Sequence, residues 1–371
     1  MLAATTDLSY DQRMQRICGS LAAAGYEVQL VGWQRATSMP LQARPYAQHR
    51  LRGFFQKGKL FYLEYNLRLL LYLLRQRADL WGCADLDAAL PTWLRARLAS
   101  QPFAYDAHEL FTEVPEVVHR PVVRRVWRWV EKFIVPRAQL RYTVGPALAQ
   151  VFEARYPGYP FAVVRNVPLG PPAAVEPAPS TTPGLASAWP VLLYQGVLNV
   201  GRGLEALLAV MPQVPARLVL CGEGDLSAAL RQQAAALGLL ASGQVEFKGY
   251  VLPAELRRLT AEATVGIMLL ENIGLSYYYS LANKFFDYVQ AGVPQLCIDF
   301  PEYHALCEEY PVAELVPDLA PATLVAALGR LLPQGQHYQR LAAACRQARQ
   351  HWNWQHEQQV LLQLYRQALG T

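Results

Sequence analysis

Charge is scarce in this chain. Only 17% of its 371 residues are Asp, Glu, Lys or Arg, against 53% hydrophobic. That balance excludes an intrinsically disordered chain and leaves a globular one, long enough for two separate cores. Unbroken apolar runs are also missing. The most apolar stretch, Leu60–Leu74, is interrupted by Glu64, Asn66 and Arg68 and so does not read as a membrane span. No basic n-region leads into an apolar stretch and a small-residue cleavage site, so no signal peptide is expected. The cysteines (Cys18, Cys83, Cys221, Cys297, Cys307, Cys345) form no CxxC pair and keep no regular spacing. That argues against zinc or a disulfide framework and for buried thiols in a reducing cytosol.

The few charges are unevenly spread. Residues 1–168 hold 22 Lys+Arg against 13 Asp+Glu, a net of +9, and the remainder carries −4. A basic N-terminal half suits an anionic membrane surface, a lipid phosphate or an acidic glycan, and equally an ordinary solvated surface rich in Arg. Nucleic acid is not expected, because the arginines lack the aromatic interleaving of a binding module.

Proline and glycine punctuate the middle. Residues 168–190 contain seven prolines with Gly, Ser and Thr, a composition that reads as an extended linker between domains 1–167 and 191–350. On both sides apolar strands alternate with helices: Asp11–Gly25, then YEVQLVGW, a helix over Leu60–Arg77, FAYDAHEL, the helix of His119–Arg137, LRYTVG and FAVVRNV. Alternation of that kind predicts parallel sheets flanked by helices. Tyr338–Leu369 reads as one terminal amphipathic helix, its last part (351–371) carrying Trp352 and Trp354.

What is present is concentrated in Val191–Pro301. The strand VLLYQG ends at Gly196, and Gly201-Arg202-Gly203 open the helix LEALLAVM. Glycines there let backbone amides approach a phosphate, and Arg202 adds a fork of donors. Asn283-Lys284-Phe285-Phe286-Asp287-Tyr288 is the densest constellation. A helix starting at Asn283 puts Asn283, Lys284 and Asp287 on one face and Phe285, Tyr288 and Val289 on the other. A helix N-terminus, an ammonium and a carboxylate one turn on suit a diphosphate followed by a ribose diol. A plain Lys284–Asp287 ion pair is the simpler alternative. Cys221-Gly222-Glu223-Gly224 invites a dinucleotide reading with Glu246, but the third glycine position is Ser227, so a tight turn is the better reading.

Together these segments resemble the donor half of GT-B glycosyltransferases, close to glycosyltransferase family 4 (glycosyl transferases group 1). The resemblance implies two Rossmann-like domains facing a cleft, with the terminal helix crossing back to the N-terminal domain. It assigns Arg202 to the diphosphate, Asp287 to the ribose, and Lys248-Gly249-Tyr250 to a base-edge loop. It places an active-site histidine at His108, beside Glu109. Asp11 and Arg13 match the family's first loop, facing acceptor or phosphate, although an N-cap role explains Asp11 as well. Asp85 and Asp87, at another strand end, are acceptor-side candidates, and Glu271 could touch the sugar. Two departures stand out. The basic residue usual after the first glycine is Val197, with Lys284 the candidate to supply its charge, and the family's first motif glutamate is Tyr279. The implied activity is retaining transfer of a sugar from a nucleotide-diphosphate sugar to a glycan or lipid-linked acceptor. No carboxylate stands out as a nucleophile, which favours front-face displacement. No DxD motif accompanies the donor residues, so no essential metal or other cofactor is expected. A GT-B sugar-nucleotide 2-epimerase and a catalytically inactive binding protein remain the alternatives. The helix at 119–137, with Arg124, Arg125, Arg128, Lys132, Trp127 and Trp129, suits peripheral association with a membrane at its cytoplasmic face; the packed face of an ordinary helix is the other reading.

Overall fold

The computed structural model describes residues 1–36, 38–170, 189–332 and 335–370. Most of the Pro-rich segment read as a linker, residues 171–188, lies outside them. The chain divides into two compact units. The first comprises Met1–Asn166, Gly274–Ser276 and Trp354–Thr371, the second Val167–Ile273 and Tyr277–Asn353.

The first unit is built on seven parallel strands: β1 Leu2–Ala3, β2 Gln29–Trp33, β3 Ala47–Leu51, β4 Trp81–Ala84, β5 Phe103–Ala107, β6 Leu140–Thr143 and β7 Ala162–Val163. They run in the order β3-β2-β1-β4-β5-β6-β7. Strand order reverses at β1/β4, so loops leaving the strand ends there open a crevice, the usual ligand position of such sheets. The second unit has six parallel strands: β8 Val191–Gln195, β9 Arg217–Cys221, β10 Val245–Gly249, β11 Val265–Met268, β12 Gln295–Ile298 and β13 Ala313–Val316. Their order is β10-β9-β8-β11-β12-β13, with the reversal at β8/β11. Every residue of β8, β11 and β12 is buried. This is why these strands read as continuous apolar runs without alternation: helices cover both faces of a parallel sheet.

The first helix, Gln12–Ala23, starts where its cap dictates, with the Asp11 side chain accepting from the Met14 amide. Two elements left no usable pattern. Edge strand β3 (AQHRL) is mostly half-exposed, and helix Pro146–Arg155 is short.

The terminal helix is a correction. Tyr338–Leu369 is not continuous: Gln336–His351 and Trp354–Leu369 are separate helices. Trp352 leaves helical geometry at φ −89, ψ 74, and Asn353 Nδ2 donates to the carbonyls of Arg349 and Gln350. Continuous helix would aim the two indoles about 200° apart around a single axis. The break instead seats Trp352 among Phe285, Phe286 and Tyr310 of the second unit. Trp354 donates to Ser20 Oγ at 2.8 Å in the first, where Tyr365 also meets Tyr142 hydroxyl to hydroxyl at 3.2 Å. Fully burying a large aromatic contributes roughly 2–3 kcal/mol, more than the hydrogen bond lost at one helix break.

The basic helix is shorter than expected, Pro121–Ile134, and its residues divide. Arg124 and Arg128 turn inward to the buried carboxylate of Glu113, so they are not free surface cations. Trp127 packs against Tyr62 and Phe111, whereas Trp129 stays 60% exposed.

Candidate active site

In the second unit, the loops after β8, β9 and β10 lie side by side at the carboxyl ends of their strands. The Gly196 amide donates to Cys221 O at 2.9 Å and the Gly222 amide to Gly249 O at 2.7 Å. Gly222 has φ +138, and a Cβ there would stand 1.9 Å from Gly196 O, so no other residue fits. Gly203, at φ +66, begins helix Leu204–Val210, where a Cβ would press on the Leu269 backbone at 2.9 Å. The two glycines therefore set the height of the loop that carries Arg202.

Lys284 lies in the first turn of helix Asn283–Ala291. Only 9% exposed, its Nζ sits 3.8 Å from the centre of the Tyr194 ring and 3.9 Å from where a Gly196 Cβ would be. The Arg202 guanidinium covers the Tyr277 ring at 4.8 Å, and its Nε is buried without a partner. Among the described residues neither cation has a carboxylate partner. Burial, and then repulsion from Arg202, hold the Lys284 ammonium well below the usual lysine range. Two cations that repel each other beside a glycine loop call for an anion between them. A diphosphate would supply that charge.

Asp287, one turn beyond Lys284, is fixed from below. Gln195 Nε2 donates to its Oδ2 at 2.8 Å, and Gln195 Oε1 accepts from Thr260 Oγ1 at 2.8 Å. Neither Gln195 nor Thr260 was singled out from the sequence. The available signal was a polar residue closing an otherwise apolar strand, VLLYQ. Glu271 braces the glycine loop, with Oε1 accepting from the Gly203 amide at 3.3 Å and its own amide donating to Gly201 O at 3.0 Å. Lys248 is tied to Glu246 on its own strand at 2.9 Å, while Tyr250 is 85% exposed at the loop tip. Asn283 is exposed, and Tyr279 lies in contact with the Tyr278 ring.

In the first unit the strand ends of β4 and β5 bring Asp85, Asp106 and His108 together. His108 Nε2 meets Asp106 Oδ2 at 2.9 Å, and Nδ1 lies 3.3 Å from Asp85 Oδ2. The His108 amide donates to Asp85 Oδ1 at 2.9 Å. Burial opposes charge on the imidazole, but the two carboxylates outweigh it and push His108 up to about 9. Asp106 is held down to about 2, because Arg13 and then His108 overcome its desolvation. His108 is therefore a charged hydrogen-bond donor near neutral pH, not a base. Asp85 holds φ +59 and ψ 177, a region that side chains avoid, so its carboxylate is placed at a backbone cost of about 1–3 kcal/mol.

Two acceptor-side candidates are engaged inside the fold, and a third takes the simpler of its two readings. Arg13 is 3% exposed, its guanidinium forked onto Asp106 at 2.7 and 2.9 Å and onto Val164 O at 2.8 Å. Its donors are spent on positioning Asp106 and on the Val164 carbonyl. Asp87, 7% exposed, accepts from Thr5 Oγ1 at 2.6 Å inside the fold. Asp11 is the helix cap, with Thr6 Oγ1 on its other oxygen at 2.8 Å. Glu109 stays exposed beside His108.

The second unit thus holds two cations that have no carboxylate partner among the described residues, and the first holds a charged histidine between two carboxylates. Residues 12–170 match Glycosyltransferase Family 4, and residues 189–334 match Glycosyl transferases group 1. The chain belongs to these glycosyltransferases, nucleotide-sugar-dependent enzymes of the GT-B fold. No curated protein sequence matches it. Among solved structures, the sucrose-phosphate synthase of Thermosynechococcus elongatus is similar with a TM-score of 0.78 at 18% identity, over 100% of this chain and 99% of that one. Anabaena HepE in complex with UDP and glucose has a TM-score of 0.73 at 14% identity, over 98% of each chain. WaaG, a glycosyltransferase involved in lipopolysaccharide biosynthesis, has a TM-score of 0.68 at 15% identity, over 97% of this chain and 98% of its own. At such identities the likeness is one of fold.

Proposed function

We propose that the protein is a retaining glycosyltransferase that moves a sugar from a nucleoside-diphosphate sugar to a glycan or lipid-linked acceptor. The observation that carries this is the Arg202–Lys284 pair, two cations beside a glycine loop with no carboxylate partner among the described residues. The pair would hold the diphosphate and stabilise it as it leaves, and Asp287 would accept from a ribose hydroxyl. Asp287 is engaged by Gln195 and Glu271 by Gly203, which favours front-face displacement over a carboxylate nucleophile. In that step the bond from the anomeric carbon to the phosphate oxygen breaks. The acceptor oxygen bonds on the same face, and its proton passes to the departing phosphate. His108, held charged between Asp106 and Asp85, would set a positive charge beside the sugar in transfer.

The complexes of HepE with UDP, glucose and UDP-glucose support a nucleotide-sugar donor. The involvement of WaaG in lipopolysaccharide biosynthesis supports a lipid-linked glycan as acceptor. The proposal includes a cytoplasmic location with reversible association at an anionic membrane surface, and diphosphate neutralisation by the two cations without a metal ion. Among the described residues no helix is long and apolar enough to cross a membrane. A panel of nucleotide sugars, scored by thermal shift and slow hydrolysis, tests the reading. Hydrolysis supports it. An epimerised sugar, or binding without any turnover, moves the assignment to an epimerase or an inactive binding protein. Turnover that EDTA abolishes and a divalent cation restores overturns the metal-free part.

A further inference from the structure

Helix Gly58–Leu73 is apolar on two sides. Phe61, Tyr65, Leu69 and Leu73 face the interior of the first unit. On the other side Leu60, Leu63, Leu67, Leu71 and Leu74 are 46–68% exposed, a single stripe at helical spacing along four turns. The preceding loop extends it. Phe54 is 85% and Phe55 42% exposed, and the loop is fastened in place. The amides of both phenylalanines donate to the Glu64 carboxylate, and the Arg68 guanidinium lies over the Phe54 ring. Glu64 also pairs with Arg68 at 2.8 Å, so the only acid between Leu51 and Ala78 is consumed within the segment. Exposed Arg52, Lys57 and Lys59 flank one end of the stripe, and exposed Arg75 and Arg77 the other. Scattered surface leucines need no explanation, but an ordered apolar stripe led by a fixed phenylalanine marks a contact surface.

We infer that this stripe docks on an anionic lipid bilayer, with Leu60, Leu63, Leu67, Leu71 and Phe54 entering the interface and the flanking cations meeting headgroups. The charge pattern selects the occupant. Pairing of the stripe with a second copy would set each group of cations against itself if parallel, or against the other group if antiparallel, with exposed Asp79 beside Arg77 too little to offset five cations on each chain. A bilayer carrying negative lipid satisfies both the apolar face and its basic flanks. Helix Pro121–Ile134, linked to this one through the Tyr62–Trp127 ring contact, adds exposed Val122, Arg125, Val126, Trp129 and Lys132. The inference deepens the membrane part of the proposed function and needs nothing from the donor site.

Sedimentation of the full chain with vesicles of phosphatidylcholine alone, or with about a third phosphatidylglycerol, tests it. Binding to the anionic vesicles is expected, weakening as salt rises from about 0.1 to 0.5 M. Leu63→Glu with Leu67→Glu should reduce it at least about tenfold. Unchanged thermal stability of that variant shows that folding is intact, and Arg75→Gln with Arg77→Gln gives a second, milder readout. Equal binding of wild type and the leucine variant overturns the inference. So does indifference to lipid charge, or a concentration-dependent dimer that the leucine substitutions dissolve. Vesicle binding by a chain that turns over no nucleotide sugar would leave this surface standing and remove the transferase reading alone.

Discussion

The two units treat charge in opposite ways. In the second, which carries the more acidic half of the sequence, buried Lys284 and half-buried Arg202 lack carboxylate partners among the described residues. In the first, the basic half, charges at the corresponding strand ends form a closed chain from Arg13 to Asp106 to His108 to Asp85. A buried charge left alone costs several kcal/mol unless something arrives to meet it, so it marks where a ligand's charge belongs. A buried charge fully paired marks a group being aimed. Net charge of a region points to neither, since the two cations without carboxylates sit in the acidic half.

The comparison is tested most severely at its aimed group. His108→Ala should lower turnover about a hundredfold or more while nucleotide affinity stays within about twofold. Wild-type turnover would reduce His108 to a loop residue, and a matching loss of affinity would place it with the donor phosphates. Next comes the pair of cations. A charge-assisted phosphate contact contributes about 1.5–3 kcal/mol, so Lys284→Ala should weaken nucleotide binding about tenfold or more in a calorimetric titration. Arg202→Ala should act similarly, and the double variant should lose less than the two separate losses combined if both hold one diphosphate. Full additivity would mean two separate anion sites. A smaller effect is expected at Asp85. Glycine relieves about 1–3 kcal/mol of backbone strain but removes the His108 amide hydrogen bond, worth about 1 kcal/mol, and the Asp85–His108 ion pair, so Asp85→Gly should change stability little while turnover falls. Clear destabilisation would show that the backbone there stores no such strain.

Much of this was legible in sequence where residue type and position coincide. Gly196, Arg202, Lys284 and Asp287 stand at strand ends and a helix start, and the structure gathers Arg202, Lys284 and the glycine loop into one place. Alternating strands and helices sufficed for the two parallel sheets because buried strands and capped helices write strong local patterns. What escaped depends on partners far apart in the chain. Arg13 looked available because nothing local shows that Asp106, 93 residues on, would take its guanidinium. Gln195 looked like a strand end because its partners Thr260 and Asp287 are 65 and 92 residues away. The break at Trp352 was hidden for a similar reason, since helical spacing continues through it and only the destinations of the two indoles differ.

Proton linkage sharpens the contrast most finely, because the two units should respond to pH with opposite signs. His108 ordinarily titrates near 6.5 and is raised to about 9 in the folded chain. Its contribution is complete below pH 6.5 and is lost as pH climbs through 9. Lys284 is shifted the other way, from an ordinary 10.5 to well below it, by burial and by Arg202. The unfolded chain then holds the lysine proton more tightly, so stability rises with pH until the unfolded value is passed, at up to about 1.4 kcal/mol per pH unit. In the wild type the two slopes partly cancel, so variants at matched pH are needed to separate them. Melting curves between pH 6 and 10 should show the advantage of wild type over His108→Gln shrinking as pH rises. Over the same range the advantage of Lys284→Met over wild type should also shrink. Added UDP supplies the countercharge, so it should raise the wild type more than Lys284→Met and take up protons as it binds above neutral pH. Parallel curves for wild type and Lys284→Met, or no proton uptake with UDP, would show that the ammonium is already satisfied, and the contrast between the two units would fail.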